Sequence, residues 1–539
     1  MGLLYKKWIP RSEKIVTDLP SLSKLLLENR LFEPIQQLAY GDYGLEQAYE
    51  TVKRAILEKR RIALYADYDV DGTMSCVSWI WFFQSIGFTH YTHYIPDRMS
   101  EGYGVNLAAI QYLALEQRAE VIITMDTGIT ANLEAQWCKE NGVQFICTDH
   151  HKIQPEKMPD CIILNPKMHP DPHYQELCGC GITFVLLRKL GLYFKPPQEV
   201  WGDILALTGM ATICDVVPLN RVNHRLAQLG VQSILRSQRQ IFKKLLEVCA
   251  DPDKIDESDV GFRLGPRINA VGRLDHADKV VRAFIHSDVD PLVQHMSTLN
   301  EARKKIQAEI VREARQKALS FPEDPILFIG GDWHPGVVGI AASKIAEEFR
   351  KPVWLFQEKE MCKGSARSVP GFDVTEAMSS AKEDFTKFGG HKAAGGYSFQ
   401  KEKIEAIREK LVSYAQNIKD ESPELWESKK TYDCALPLSL ANTKLVDLTS
   451  SLRPYGHEFE APVFMFEAVL GETRYVPFQD PKHTSFVLKS GEQKEKVIFF
   501  NQLFKQYPLH KPVKILSTVS SNFWQGRKQL SLMGIDIDA

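Results

Sequence analysis

The 539-residue chain has no Cys-x-x-Cys pair, no apolar run long enough to span a bilayer, no internal repeat, no low-complexity tract and no surplus of either charge. Each absence removes a class of protein. The ten cysteines, at positions 76, 138, 147, 161, 178, 180, 214, 249, 362 and 434, are scattered, several of them inside apolar stretches such as Phe145-Ile146-Cys147. A thiol in such a run acts as a small hydrophobe, which argues against a disulfide scaffold and for a reduced, cytoplasmic setting. Cys178 and Cys180 are the closest pair, and Cys-x-Cys lacks the spacing of a common zinc half-site. The start, Met1-Gly2-Leu3-Leu4-Tyr5-Lys6, has too small an apolar stretch for a secretory signal, and Lys6 stands where a myristoylation signal needs Ser or Thr, so no membrane partner is expected. With 66 basic and 68 acidic residues the formal net charge is −2, so any nucleic-acid-binding surface must be local.

What the chain does have is a recurrent pairing of short β-branched or aromatic runs with acids. Runs at 62–66, 91–95, 121–125, 143–147 and 161–164 alternate with helical periodicity at 74–85, 107–115 and 131–140, which predicts a parallel sheet wrapped by helices. Ligands in such sheets bind beyond the carboxyl ends of the strands. There lie Asp67-Tyr68-Asp69-Val70-Asp71-Gly72, then Asp126, then Asp149-His150-His151, while Asp215 follows a helical stretch at 201–213. Carboxylates gathered in one place repel one another and are tolerable together only when cations neutralise them, and imidazole beside them favours Mn²⁺, Zn²⁺ or Fe²⁺, with Mg²⁺ still possible. The chemistry read from these residues alone is metal-assisted phosphoester hydrolysis. A lone Asp-x-Asp is more often turn chemistry, and Gly72 is expected to permit a tight turn from strand into helix.

Residues 221–320 read as mostly helical, ending in a charged segment at 296–319 that fits a solvated connector. A second α/β block begins near Pro325 and carries two glycine-rich turns, Gly389-Gly390-His391 and Gly395-Gly396. Without Cβ atoms, backbone N–H groups there can approach an anion, and His391, Ser365 and Arg367 add donors suited to phosphate oxygens. From about residue 428 alternating strands predict an antiparallel barrel of the oligonucleotide-binding kind, whose aromatics (Phe464, Phe466, Phe486, Phe499, Phe523, Trp524) are mostly expected in its core, with one or two free to stack on bases.

Asp-Tyr-Asp-Val-Asp-Gly, Asp-His-His and Asp215-Val216-Val217-Pro218-Leu219 together resemble the DHH phosphoesterase superfamily. Ile95-Pro96-Asp97-Arg98, the run Leu264 to Leu274, Trp333-His334-Pro335-Gly336, Gly364-Ser365-Ala366-Arg367-Ser368 and Gly389-Gly390-His391 narrow the resemblance to the RecJ-type single-strand-specific exonucleases. The resemblance implies an α/β fold: an N-terminal extension (1–50), a DHH parallel-sheet domain (51–220), a helical connector (221–320), a DHHA1 α/β domain (321–427) and a C-terminal barrel (428–539). It also implies two divalent ions, Mn²⁺ or Mg²⁺, with Asp69 and Asp126 on one and Asp71, Asp126, His150 and Asp215 on the other. Asp67 supports the site and His151 faces the substrate phosphate. Arg98, Asn269, Arg273, Ser365, Arg367 and His391 match substrate-binding positions. The activity implied is 5′-to-3′ removal of nucleotides from single-stranded DNA in recombination and repair, with single-strand-binding protein and a repair helicase as partners. A short-oligonucleotide or cyclic-dinucleotide phosphodiesterase and a non-catalytic replication scaffold are the alternatives. The chain departs from the family at Leu452-Arg453-Pro454-Tyr455-Gly456, which continues as His457-Glu458-Phe459-Glu460 where a Gly-Asn-Pro pattern is common.

Overall fold

Runs such as Val121–Met125, buried at every residue, have no polar face to offer water and can only be the middle of a sheet covered on both sides. The computed structural model describes residues 4–32, 41, 43–249, 254–476, 482–504, 509–524 and 527–538. They form two compact units. The first comprises residues 32–303 and 453–460, the second the remainder.

The first unit is built on a five-stranded, wholly parallel sheet in the order Tyr91–Tyr94, Ile62–Ala66, Val121–Met125, Gln144–Thr148, Ile162–Leu164. The direction of strand addition reverses between Ile62–Ala66 and Val121–Met125, and such a switch point opens a crevice at the carboxyl edge. The helix Val70–Ser85 is buried along nearly its whole length and packs against Gly179–Phe194 and Gln198–Cys214. It begins four residues before the sequence pattern suggested, so Asp71 and Gly72 lie in its first turn. Gly72 therefore serves close approach rather than a turn: a Cβ there would meet the Asp67 carbonyl oxygen at 2.4 Å.

In the second unit a mixed sheet runs Lys387–His391, Ala394–Gln400, Met361–Arg367, Val353–Gln357, Leu327–Gly331, with only the last two strands parallel. The two glycine-rich stretches are not loops. They pair as a hairpin, Gly389 opposite Gly396 and Gly390 opposite Gly395, closed by Lys392 and Ala393. Farther along, Phe464–Val476 pairs with both His483–Ser490 and Pro512–Trp524, while Gln493–Phe499 and Arg527–Asp538 complete the circuit, so five strands close into a barrel with no open edge. Phe464, Phe466, Phe486 and Phe499 are all fully buried in it, and none of them is free to stack on a base. The side chains of Phe523 and Trp524 lie outside the described residues.

The segment assigned to an N-terminal extension divides. Lys7–Pro10 adds a parallel strand beside Lys429–Tyr432, and Leu22, Leu25 and Leu26 join the barrel's core, whereas Leu45–Leu57 packs in the first unit. Arg30 anchors this arrangement through a buried ion pair with Asp433 at 2.7 Å. Two charges removed from water are tolerable only with such close, hydrogen-bonded pairing.

Candidate metal and phosphate sites

Register brings three acids into line. Ala66 pairs with Met125 and Met125 with Thr148, so Asp67, Asp126 and Asp149 are each the first residue beyond neighbouring strands. The ladder continues one step into them: the Asp67 N–H donates to Met125 O, Asp126 N–H to Thr148 O and Asp149 N–H to Leu164 O. Asp126 adopts φ 60°, a left-handed conformation that Asp and Asn tolerate better than most residues and that turns its side chain out of the strand alternation.

Asp69 caps the helix Val70–Ser85, one carboxylate oxygen accepting from the N–H groups of Asp71 at 2.8 Å and Gly72 at 3.1 Å. Asp71, fully buried, takes N–H groups from Gly179 at 2.5 Å and Cys180 at 2.7 Å, at the N-terminus of Gly179–Phe194. That helix end favours negative charge. A Cβ on Gly179 would lie 2.8 Å from Asp126 Cβ and 3.0 Å from Asp71 Oδ2, so only glycine fits. Asp215 arrives from the C-terminal cap of Gln198–Cys214 and is followed by Val216 at φ 58°, a strained setting for a β-branched residue.

These side chains converge on His150. Its Nε2 lies 3.0 Å from Asp126 Oδ1, 3.4 Å from Asp215 Oδ2 and 3.8 Å from Asp71 Oδ2. Three overlapping sets have ligand atoms mutually within 4.8 Å: Asp67, Asp69 and Asp126; Asp126, His150 and His151; Asp71, His150 and Asp215. Asp126 is shared by two of them. An oxygen of Asp67, expected to support the site, lies within 4.8 Å of ligand atoms of Asp69 and Asp126.

Electrostatics agree with a cation site. Burial, reinforced by the neighbouring carboxylates, pushes Asp67, Asp126 and Asp215 well above the usual carboxylate range. Burial and Asp69 raise Asp71 to about 7 despite its two backbone donors. Among the described residues the buried Oδ1 atoms of Asp67 and Asp126 accept no hydrogen bond, and His150 Nε2, 3.0 Å from Asp126 Oδ1, stands as a second ligand atom beside it, an arrangement that fits a shared cation. Asp149 behaves differently. Burial opposes its charge, but His151 outweighs it and holds the carboxyl down at about 2. Its Oδ1 lies 2.7 Å from His151 Nδ1 while its Oδ2 accepts from Ile129 N–H at 2.9 Å. In return Asp149 lifts His151, against burial, to about 9.

The structure brings together Asp67, Asp69, Asp71, Asp126, His150, His151 and Asp215. Nearby, Arg98 lies over the Tyr68 ring at 4.8 Å. Asn269 Oδ1 accepts from Val70 N–H at 3.2 Å, so this atom holds the metal turn in place. Arg273, four residues on, follows Gly272, whose missing Cβ lets its helix sit on Tyr68 O. Ser365, Arg367 and His391 belong to the second unit. There Arg367 donates to Ser365 Oγ at 2.6 Å and to Ser343 Oγ at 2.9 Å. Beside them Gly389 and Gly396, directly paired and exposed, have open space where Cβ atoms would stand.

Sequence reasoning missed four contributors. Gly179 and Cys180 hold Asp71, and the signal was the small-residue run Cys178-Gly179-Cys180-Gly181 that opens an apolar helix. Both cysteines are buried free thiols. Tyr103, whose hydroxyl is 3.1 Å from the His151 ring nitrogens, lies in the stretch Glu101-Gly102-Tyr103-Gly104 that carries the family resemblance but was given no site role, and Asn223, which donates to Pro218 O at 2.9 Å, had no local signature.

Three family models match in sequence order: the DHH family N-terminal domain at residues 61–212, the DHHA1 domain at 324–417 and the RecJ OB domain at 432–536. Among curated proteins, the single-stranded-DNA-specific exonuclease RecJ of Haemophilus influenzae is 30% identical over 91% of this chain and 90% of its own length. The RecJ of Bacillus subtilis is 31% identical over 91% of this chain, which spans 63% of that relative's length. Among solved structures, RecJ in complex with Mn²⁺ from Thermus thermophilus matches with a TM-score of 0.83, at 24% identity, over 99% of this chain and 79% of that one. An exonuclease RecJ bound to manganese matches at 30% identity with a TM-score of 0.63, over 72% of this chain and 98% of that one.

Proposed function

Because this chain belongs to the RecJ family of single-stranded-DNA-specific exonucleases, we propose that it hydrolyses single-stranded DNA from the 5′ end, releasing mononucleotides, in recombination and repair. The observation that carries this reading is the meeting of Asp71, Asp126 and Asp215 around His150 Nε2, at the carboxyl edge of the sheet by its switch point. Asp69 and Asp126 would hold one divalent ion and Asp71, Asp126, His150 and Asp215 the other, with Asp67 close enough to assist. When bound, Mn²⁺ or Mg²⁺ lowers the pKa of water and neutralises charge building on phosphorus.

The chain's own residues supply the rest. Asp149 fixes the His151 ring and keeps it protonated, so His151 presents a positive charge to the substrate phosphate. Asn269 and Asp69 fix the first turn of Val70–Ser85, which sets the direction of Asp71. Arg98 and Arg273 offer guanidinium donors to phosphates near the metal pocket. In the second unit Ser365, Arg367 and His391, beside the bare Gly389/Gly396 pair, form a seat for a phosphate. We read 51–220 as the catalytic domain, 221–320 as a connector whose residues up to 303 group with that domain, 321–427 as phosphate-binding and 428–539, apart from 453–460, as the strand-binding barrel. A cytoplasmic place of action, and single-strand-binding protein and a repair helicase as partners, complete the reading. A scaffold without catalysis has no use for carboxylates this costly to cluster, and a dinucleotide substrate has no use for the barrel.

The test uses identical single strands labelled at the 5′ or the 3′ end, incubated with the protein and Mn²⁺. The 5′ label should appear first, as a mononucleotide, and the Asp126→Asn protein should release neither label. Early release of the 3′ label contradicts the polarity. Internal fragments contradict exonucleolytic action.

A further inference from the structure

The segment Arg453–Glu460 lies between the helix Thr443–Ser451 and the barrel strand Phe464–Val476, yet it groups with the metal-binding unit, whereas the chain up to Leu452 and from Ala461 groups with the other. We infer that this segment is a positioning element for the metal centre, fixing the two chain segments that carry Asp215 and the Asp69 to Asp71 turn. The inference rests on the two-metal reading above.

The first grip is on the loop after Asp215. Leu219 N–H donates to His457 O at 2.8 Å, and Gly456, whose Cβ would lie 2.7 Å from Leu219 Cδ1, leaves room for the Leu219 side chain against it. Phe459 is 1% exposed and packs edge-on against His224 at 4.7 Å, with Phe32 at 4.8 Å completing the cluster. His224 stands one residue after Asn223, which donates to Pro218 O on the same loop. The loop between Asp215 and Leu219 is therefore held at its far end by a segment from outside the parallel-sheet fold, while Val216 within it sits at φ 58°. A strained residue persists only where its surroundings over-determine it.

The second grip reaches the other acids. Arg453 Nε donates to Glu257 Oε1 at 2.9 Å and its guanidinium pairs with Asp256 at 3.0 Å, while Tyr455 N–H donates to Glu257 Oε1 at 3.1 Å. Glu257 is 7% exposed, so these bonds are what make its burial tolerable. Asp256 is the cap of the turn Glu257–Asp259, which leads through Val260–Leu264 into Gly265–Leu274. Two positions on that path touch the site. Gly265 leaves room for the Cys214 thiol, next to Asp215, and Asn269 accepts from Val70 N–H at the Asp69 to Asp71 turn. Both halves of the ligand set thus have a mechanical root in Arg453–Glu460.

Partners that orient ligands from behind are worth about 10- to 100-fold in metal affinity or activity. The test compares wild type, Phe459→Ala, Arg453→Gln and Phe486→Ala, the last removing an equally buried ring from the barrel core. Mn²⁺ affinity is measured by titration calorimetry, kcat and KM on a short single strand, and hydrogen exchange at residues 216–219. Phe459→Ala and Arg453→Gln should each bind Mn²⁺ about 10-fold more weakly, lower kcat with little change in KM, and exchange the Leu219 amide faster. Phe486→Ala should keep wild-type Mn²⁺ affinity. If Phe459→Ala does not fold, Arg453→Gln decides. Wild-type affinity and kcat in the folded variants overturn the positioning role while leaving the metal site standing. Equal weakening in Phe486→Ala overturns it too, because the effect would then be general loss of stability. A wild-type protein that binds no Mn²⁺ overturns the metal reading itself, and this inference with it.

Discussion

At the scale of the residue, Asp126 carries the most conflicting demands in the molecule. Its carboxylate is buried among four others, its backbone is left-handed, and two of the three potential ligand sets share it. Asp126→Asn keeps the tolerance for φ 60° and removes the repulsion, so the metal-free protein should melt higher than wild type while turnover falls by more than about 100-fold. Calorimetry with chelator present, beside a nuclease assay, checks both halves. A lower melting temperature would show that the like charges are not the dominant strain. Asp149 predicts a different pattern. It lies outside the ligand sets and holds His151, read above as facing the substrate phosphate, so Asp149→Asn should reduce kcat about 10- to 100-fold and weaken Mn²⁺ binding by less than that. Parallel loss of affinity would place Asp149 among the ligands.

At the scale of the element, the glycine hairpin and the acid-tipped strands show what a sequence reveals. The parallel strands were legible because their apolar runs are short, hold β-branched or aromatic residues and alternate with helical periodicity, and the acids at their ends located the crevice. Asp215 could be placed only by residue type, since it comes off a helix. The glycines read as turns because glycine is a turn residue in most settings. Here each does something else: Gly390, at φ 143°, would press a Cβ against Ala394 O at 2.4 Å, whereas Gly396 faces open space. Gly390→Ala should therefore cost about 1–3 kcal/mol of stability. Gly396→Ala should cost under about 0.5 kcal/mol and instead raise KM on 5′-phosphorylated strands, if the bare pair seats a phosphate. Denaturant melts and steady-state kinetics separate the two. The barrel's aromatics illustrate the opposite limit, because nothing local distinguishes a ring that fills a core from one that stacks on a base.

At the scale of the whole molecule, long-range sequence order and spatial order diverge. Residues before Leu31 complete the barrel unit, and Arg453–Glu460 completes the metal unit, neither of which any window of sequence can report. Deleting everything from 428 would remove that segment along with the barrel, so loss of activity in such a truncation is not by itself a measure of strand binding. The acids also set a pH dependence. Asp71 has a folded-state pKa of about 7, above its unfolded value of about 3.9, so the metal-free native state binds more protons than the unfolded state between those limits. Its stabilising contribution is full below about pH 4 and is lost as pH rises through about 7. Metal relieves that loss by replacing the proton, so Mn²⁺ should raise the melting temperature more at pH 8 than at pH 6, adding about 2.7 kcal/mol at 100 times its dissociation constant. Equal shifts at the two pH values would mean that the ions bind elsewhere. The most direct measurement is anomalous diffraction at the manganese edge from crystals grown with Mn²⁺. Two peaks are expected in the first unit, both within coordinating distance of Asp126, one beside Asp69 and the other beside His150 and Asp215. A single peak, or peaks away from Asp126, would contradict the two-metal reading.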